Sequence, residues 1–171
     1  MLGLRAAGKS TVGRLLAEHL ELPFWDSDAD LVARFGADRS VGQLLEDWGE
    51  ARFRREEWQS LFELLDRSER SVVATGGGAV THPFSRELLG RRGTGIYLRT
   101  GLEVLRARAS TSSEFRPPLY RGGTKLDLAQ QLAIREPLYL QLASVVIDTD
   151  SAKADEIALK LVDQLQSRDL V

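Results

Sequence analysis

The 171-residue sequence contains no cysteine, only two histidines and one methionine. Without cysteine, disulfides and thiolate metal sites are excluded, and His19 and His82 alone are too few for the usual zinc site. No apolar run approaches the roughly 20 residues that a membrane-spanning helix needs. No signal or transit pattern opens the chain. We therefore expect a cytoplasmic protein from a reducing compartment.

An excess of basic residues is also missing. The 23 Lys and Arg residues are balanced by 25 Asp and Glu residues, for a net charge of -2. This balance argues against a general nucleic-acid binder. Hydrophobic residues make up 43% and charged residues 28% of the chain, which is typical of a globular domain with its own core. We expect a single domain over residues 1–171 that binds neither nucleic acid nor membrane.

The first informative motif lies at the start of the chain. Residues 3–10 read G-L-R-A-A-G-K-S and match the phosphate-binding P-loop pattern G-x-x-x-x-G-K-S/T. Apolar residues at helical spacing predict a helix over residues 9–20. In such a loop, backbone N–H groups and the helix N-terminus bind phosphates. Lys9 would reach the β- and γ-phosphates, and the Ser10 hydroxyl would bind Mg²⁺. The alternative is a Gly/Ala-rich turn before an ordinary helix.

Two features of this loop depart from the usual pattern. Ala6 stands where many P-loops have glycine, and we expect its φ to be negative, because a methyl group disfavours positive φ. Only Met1 and Leu2 precede Gly3. The buried strand that normally feeds the loop is therefore expected to be largely truncated.

Strand and helix signals alternate along the rest of the chain. Short apolar runs predict strands at residues 22–25, 71–75, 95–99 and 145–148. Helices are predicted at residues 28–34, 41–47, 49–67, 102–109, 125–143 and 152–166 and from Pro83 onward, with a loop at 110–123. In the long helix, Trp58, Leu61, Phe62 and Leu65 are predicted to share one face. The alternation predicts an α/β fold with a parallel sheet covered on both faces, whose ligands bind beyond the C-terminal strand ends.

Acidic and glycine residues follow two of these predicted strands. Asp26 and Asp28 could serve Mg²⁺ through water and accept or orient a substrate hydroxyl, and the alternative is a solvated acidic turn. Gly76, Gly77 and Gly78 suggest a backbone that lies against a ligand, and the alternative is a tight turn. Four arginines could bind anions through their planar guanidinium groups, namely Arg54, Arg108, Arg116 and Arg135. Residue chemistry alone does not separate them from arginines on solvated helix faces.

Together these motifs resemble the shikimate kinase family across nearly the whole chain. The matching segments are the P-loop and residues 26–28 (D-S-D), 49–55 (G-E-A-R-F-R-R), 76–80 (G-G-G-A-V), 116–119 (R-P-P-L) and 135–139 (R-E-P-L-Y). The resemblance implies transfer of a phosphoryl group from MgATP to the 3-hydroxyl of shikimate, in aromatic amino-acid biosynthesis. Alternatives that remain open are a gluconate-kinase-like enzyme of the same fold and a non-catalytic ligand-sensing module of a longer regulator.

The resemblance also implies a role for each matching residue. Lys9, Asp28 and Arg116 would be catalytic, and Ser10 and Asp26 would bind Mg²⁺. The ATP-binding residues would be Gly3, Arg5, Ala6, Ala7, Gly8, Lys9, Ser10, Thr11, Arg108 and Arg116. The shikimate-binding residues would be Asp28, Phe53, Arg54, Gly76, Gly77, Gly78 and Arg135.

The architecture implied by the resemblance is the three-layer P-loop sandwich of nucleoside-monophosphate kinases. Its parallel sheet would have the order 2-3-1-4-5, with strand 1 largely truncated here. Residues 28–67 would form the substrate-binding helical segment, and residues 108–124 would form a lid. We expect a monomer whose partners are ATP and shikimate.

Overall fold

The computed structural model describes residues 1–36, 38–67, 69–111, 119–121 and 124–171. The helices are α1 (Lys9–His19), α2 (Ser27–Phe35), α3 (Val41–Leu65), α4 (Pro83–Arg92), α5 (Leu102–Ser110), α6 (Leu128–Leu142) and α7 (Ala154–Gln166). The strands are β1 (Phe24–Asp26), β2 (Val72–Ala74), β3 (Gly95–Arg99), β4 (Leu119–Arg121), β5 (Thr124–Leu126) and β6 (Ala143–Asp148). A 3-10 helix covers Ala79–Thr81.

Two parallel strand pairs are joined by the first two residues of the chain. β1 pairs with β2, and β3 pairs with β6. The Met1 nitrogen donates to the Val73 carbonyl (2.6 Å), and the Met1 carbonyl accepts from the Thr75 N–H (3.2 Å). On the other side, Leu2 bonds the backbone of Ile96 and Leu98 at 2.7 and 3.0 Å. Met1 and Leu2 correspond to strand 1 of the predicted order, β1 and β2 to its strands 2 and 3, and β3 and β6 to its strands 4 and 5. The observed order β1-β2-(Met1, Leu2)-β3-β6 is therefore the predicted 2-3-1-4-5 order, with strand 1 reduced to two residues.

Alternating side chains of these strands enter two separate apolar layers. Met1, Ile96 and Leu98 pack with helices α1 and α7 in one layer. Leu2 and Tyr97 point the other way, into a cluster that includes Tyr139 of α6. This period-2 division is what a sheet covered on both faces requires. The predicted three-layer α/β sandwich is confirmed.

A single glycine divides the long helix α3. Its first turn is closed by a capping box between Ser40 and Gln43. Gly49 has φ 72° and ψ 163°, a conformation that glycine adopts without steric cost. The two helices predicted on either side of this position therefore meet at Gly49. The break turns the second part of α3, with Phe53, Arg54 and Glu57, toward the C-terminal ends of β1 and β2.

One region differs from the sequence expectation. The predicted helix start at residue 125 was wrong, and so was the predicted loop over residues 119–121, because β4 and β5 pair antiparallel there. The rest of the predicted loop at 110–123, namely residues 112–118, 122 and 123, lies outside the described residues. The helix begins only at Leu128, after Asp127 accepts from the Gln130 N–H (2.8 Å) and Gln130 accepts from the Asp127 N–H (2.9 Å). This capping box is the signal that would have set the boundary. Within the described ranges, no helix is long and apolar enough to cross a bilayer.

Candidate active site

A cleft of about 760 Å³ opens beside the P-loop, beyond the C-terminal ends of β1 and β2. Residues from the P-loop, α2, α3, the glycine segment after β2, and α6 line it. The predicted site residues that it brings together are Arg5, Ala6, Gly8, Lys9, Ser10, Thr11, Asp26, Asp28, Phe53, Arg54, Gly76, Gly77, Gly78 and Arg135. This is the position where ligands bind to parallel sheets.

The P-loop contains three residues with positive φ. These are Gly3 (144°), Ala6 (65°) and Gly8 (91°), and Gly8 caps the N-terminus of α1. The expectation of a negative φ at Ala6 was therefore wrong. The Ala7 N–H bonds back to the Leu4 carbonyl (3.3 Å), and this tight turn holds residue 6 in the left-handed region. The alanine carries the steric cost that a glycine would avoid.

The predicted metal ligands are already in contact with each other. Ser10 Oγ donates to Asp26 Oδ2 at 2.5 Å. The other carboxylate oxygen, Oδ1, accepts from the N–H groups of Asp28 (3.0 Å) and Ala29 (3.2 Å), so Asp26 caps α2. This cap fixes the Asp26 carboxylate next to the start of α1. The arrangement presents two oxygen atoms of the kind that Mg²⁺ prefers.

A metal site built from protein groups alone is not seen in the part of the chain that the structure describes. No group of three or more His, Cys, Asp or Glu side chains there could hold an ion. Mg²⁺ in phosphoryl-transfer sites is usually held by one or two protein oxygens together with substrate phosphates and water. The Ser10 and Asp26 oxygens beside the phosphate loop fit that mode of binding.

Arg54 forms a buried ion pair that the sequence did not reveal. Its guanidinium donates to Glu57 Oε2 at 2.7 Å, and the two residues are 8% and 1% exposed. Burial raises the pKa of Glu57 more than the Arg54 charge lowers it. Burial alone would lower the pKa of Arg54, but the carboxylates of Glu57, Glu50 and Asp28 together outweigh it and the pKa is raised. Glu57 therefore holds the charged Arg54 in the cleft wall. The sequence did contain one signal for this ion pair, because Glu57 follows Arg54 by three residues on a predicted helix, and side chains at that spacing are neighbours.

The three glycines lie against this pair and against the P-loop. A side chain at Gly76 would overlap Glu57 and approach Asp28 Oδ1, and one at Gly78 would overlap the Arg54 guanidinium. A β-carbon at Gly77 would lie 3.1 Å from the Arg5 nitrogen. The sequence predicted that this backbone lies against a ligand. The structure adds a reason within the protein, since each glycine makes room for a group that lines the cleft.

Arg135 and Phe53 complete the acceptor half of the cleft. Arg135, on α6, is 7% exposed, and its guanidinium lies 3.5 Å from the Gly77 carbonyl. Burial lowers the pKa of Arg135. The Phe53 ring is 2% exposed, with the Arg54 guanidinium carbon 5.2 Å from its centre. Two buried cationic groups thus flank one end of the cleft.

A second cavity, of about 420 Å³, lies on the other side of the P-loop. It is lined by P-loop residues that include Ala7, together with Arg108 of α5 and Thr149 after β6. Arg108 donates to the Thr149 carbonyl at 3.0 Å. The structure therefore places Arg108 beside the P-loop, and its role in binding ATP stays a prediction. Arg116 lies outside the described residues, so its role stays a prediction.

A comparison with family models decides the family. The model described as shikimate kinase matches residues 5–166. The chain belongs to the shikimate kinase family. A shikimate kinase of Halorhodospira halophila is 43% identical over 168 residues, covering 98% of this chain and 93% of the relative.

Solved structures agree with the family. A shikimate kinase from Acinetobacter baumannii, in complex with shikimate, superposes with a TM-score of 0.86 at 36% identity, covering 99% of this chain and 93% of that one. A gluconokinase from Sinorhizobium meliloti reaches a TM-score of 0.54 at 18% identity, covering 98% and 94% of the two chains. This second likeness shows the fold alone. The gluconate-kinase alternative is not favoured.

Proposed function

We propose that this member of the shikimate kinase family transfers the γ-phosphoryl group of MgATP to the 3-hydroxyl of shikimate. The observation that carries the proposal is the placement of two buried guanidinium groups, Arg54 and Arg135, in the same cleft as the P-loop Lys9. Arginine forks bind carboxylates through paired hydrogen bonds. The related enzyme from Acinetobacter baumannii is described as a complex with shikimate, an alcohol that carries a carboxylate.

In this proposal the two halves of the cleft bind the two reactants. The P-loop N–H groups and Lys9 bind the ATP phosphates, and Lys9 stabilises charge that develops on the transferred group. Arg54 and Arg135 bind the shikimate carboxylate, Phe53 lines the ring pocket, and the Gly76–Gly78 backbone lies along the substrate. This placement directs the 3-hydroxyl toward the γ-phosphate.

Asp28 accepts the hydroxyl proton or orients the hydroxyl for attack. The hydroxyl oxygen forms a bond to the γ-phosphorus while the bond to the bridging oxygen of ADP breaks. Ser10 and Asp26 would hold Mg²⁺, which supplies charge neutralisation for the phosphates when bound. The Asp26 carboxylate is positioned for this by its capping bonds to α2.

The nucleotide base would occupy the cavity between the P-loop and Arg108. We also propose that residues 28–67 serve as the acceptor-binding segment and residues 108–124 as a lid that carries Arg116. Leu126, the last residue of β5, and Leu128, the first residue of α6, line the main cleft, which supports a lid at this position. Lid closure would exclude water as a competing acceptor.

We also propose that the functional unit is a monomer. Because ATP is an intracellular phosphoryl donor, we place the reaction in the cytoplasm.

Coupled ADP release with shikimate, quinate and gluconate, measured side by side, tests the substrate. We expect turnover of shikimate at a far higher kcat/KM than either of the others, and loss of this turnover in Lys9→Ala by several orders of magnitude. Turnover of gluconate without turnover of shikimate would overturn the proposal. The Lys9→Ala variant shows that the ADP signal arises at the P-loop.

A further inference from the structure

Two residues of α6, one helical turn apart, direct donors at the same carbonyl oxygen. The Tyr139 hydroxyl donates to the Gly77 carbonyl at 2.5 Å. The Arg135 guanidinium lies 3.5 Å from the same oxygen, at the outer limit for a hydrogen bond. The tyrosine is thus the principal donor, and Arg135 is left with a weak contact to this carbonyl.

The accepting peptide has little freedom to move. A β-carbon at Gly77 would lie 3.1 Å from the Arg5 nitrogen and 3.3 Å from the Gly3 carbonyl, so the P-loop backbone lies close on that side. Because the Gly77 carbonyl stays where it is, the two donors compete for it in a fixed geometry.

We propose that Tyr139 is a positioning residue: its hydroxyl occupies the Gly77 carbonyl and so keeps the Arg135 guanidinium available to the substrate carboxylate. This inference rests on the proposed function, in which Arg135 binds shikimate. Without the hydroxyl, the vacant carbonyl would draw Arg135 into a closer bond. The guanidinium would then exchange its interaction with the Tyr139 hydroxyl for a closer bond to the Gly77 carbonyl, and in that position it would bind the carboxylate less well.

The environment of Tyr139 suits this role. The side chain is fully buried, and burial raises the pKa of its hydroxyl, so it remains a donor at neutral pH. Its ring stacks on Tyr97, with ring centres 5.1 Å apart and an interplanar angle of 28°. The Tyr97 hydroxyl bonds Glu136 Oε1 at 3.1 Å instead. Tyr97 therefore provides a matched control, because its ring belongs to the same stacked pair and its hydroxyl can also be removed by substitution with Phe, but that hydroxyl does not bond the Gly76–Gly78 segment.

Steady-state kinetics of Tyr139→Phe and Tyr97→Phe test the proposal. We expect Tyr139→Phe to raise KM for shikimate about fivefold, the scale of one hydrogen bond. Its KM for ATP and its kcat should stay within about twofold of wild type, and all three constants of Tyr97→Phe should do so as well. An increase in KM for shikimate no larger than that of Tyr97→Phe would overturn the proposal. So would an equal rise in KM for ATP, or a melting temperature far below that of Tyr97→Phe.

Shikimate methyl ester provides the second arm, because its carboxylate no longer offers two anionic oxygens to Arg135. We expect wild type and Tyr139→Phe to have nearly equal kcat/KM for the ester. A fivefold loss that persists with the ester would contradict the role assigned to Tyr139. Failure of the wild type to turn over shikimate at all would refute the proposed function, and the inference with it. Normal wild-type turnover with no effect of Tyr139→Phe refutes the inference alone.

Discussion

Replacing Ala6 by glycine should make the protein more stable. Ala6 has φ 65°, and the left-handed region costs an L-residue roughly 1–2 kcal/mol. Glycine removes that cost but adds about 0.4–1 kcal/mol of conformational entropy to the unfolded chain. With the middle of each range, the difference leaves a net gain of about 0.8 kcal/mol in the free energy of unfolding. For a domain of this length, that corresponds to a rise in Tm of about 1–4 °C.

Urea and thermal unfolding of Ala6→Gly and of wild type measure this difference directly. Ala7→Gly is the matched control, because Ala7 is the next residue of the same loop, is 1% exposed and is not among the residues with positive φ. It should lose stability, since it gives up a buried methyl group and relieves no strain. If Ala6→Gly unfolds at the same or a lower urea concentration than wild type, the strain inferred at Ala6 is not there.

Three further perturbations test the acceptor half of the cleft. Gly78→Ala places a methyl group on the Arg54 guanidinium and should raise KM for shikimate by about tenfold or more. Gly93→Ala is the control and should change nothing, because its added carbon lies 3.7 Å from the nearest contact. Equal kinetic constants for the two variants would refute the inferred contact between Gly78 and Arg54. Burial raises the folded-state pKa of Glu57 above its unfolded value, so wild type should lose stability relative to Glu57→Gln as pH rises from about 4 through that raised pKa. Urea unfolding of both proteins across this pH range measures the difference, and a difference that does not change with pH would contradict the predicted sign. Arg135→Ala should raise KM for shikimate by about 10- to 100-fold with KM for ATP unchanged, and equal losses of both would remove Arg135 from the carboxylate site.

The buried face of α3 shows what could not be predicted from the sequence. Apolar spacing placed Trp58, Leu61, Phe62 and Leu65 together, but Phe62 is 40% exposed. The predicted Leu61 is buried, but the face turned inward also carries Arg54, Glu57 and Ser60, all at most 8% exposed. Hydrophobic periodicity assumes that buried residues are apolar, and a helix that lines a charged cleft breaks that assumption. The exposure of Phe62 and the missed Glu57 have the same cause.

Other features followed from local chemistry and were predicted well. The P-loop and the break at Gly49 depend on glycine positions and short apolar runs, which the sequence displays directly, whereas the order of the strands was implied by the family resemblance. The φ of Ala6 was predicted wrongly, because the turn imposes it and the residue type does not reveal it. The β4–β5 hairpin was missed because its six residues carry no clear strand pattern. The roles assigned to Lys9, Asp28 and the arginines stay predictions.

The position of the transferred phosphate tests the proposed reaction most directly. The purified protein would be incubated with MgATP and shikimate, and the product examined by proton–phosphorus correlation NMR. We expect one new phosphate ester whose phosphorus couples to the proton on carbon 3 of the ring, formed together with ADP in equal amounts. Release of ADP with only free phosphate, or an ester at another hydroxyl, would contradict the proposed placement of shikimate between Asp28, Arg54 and Arg135.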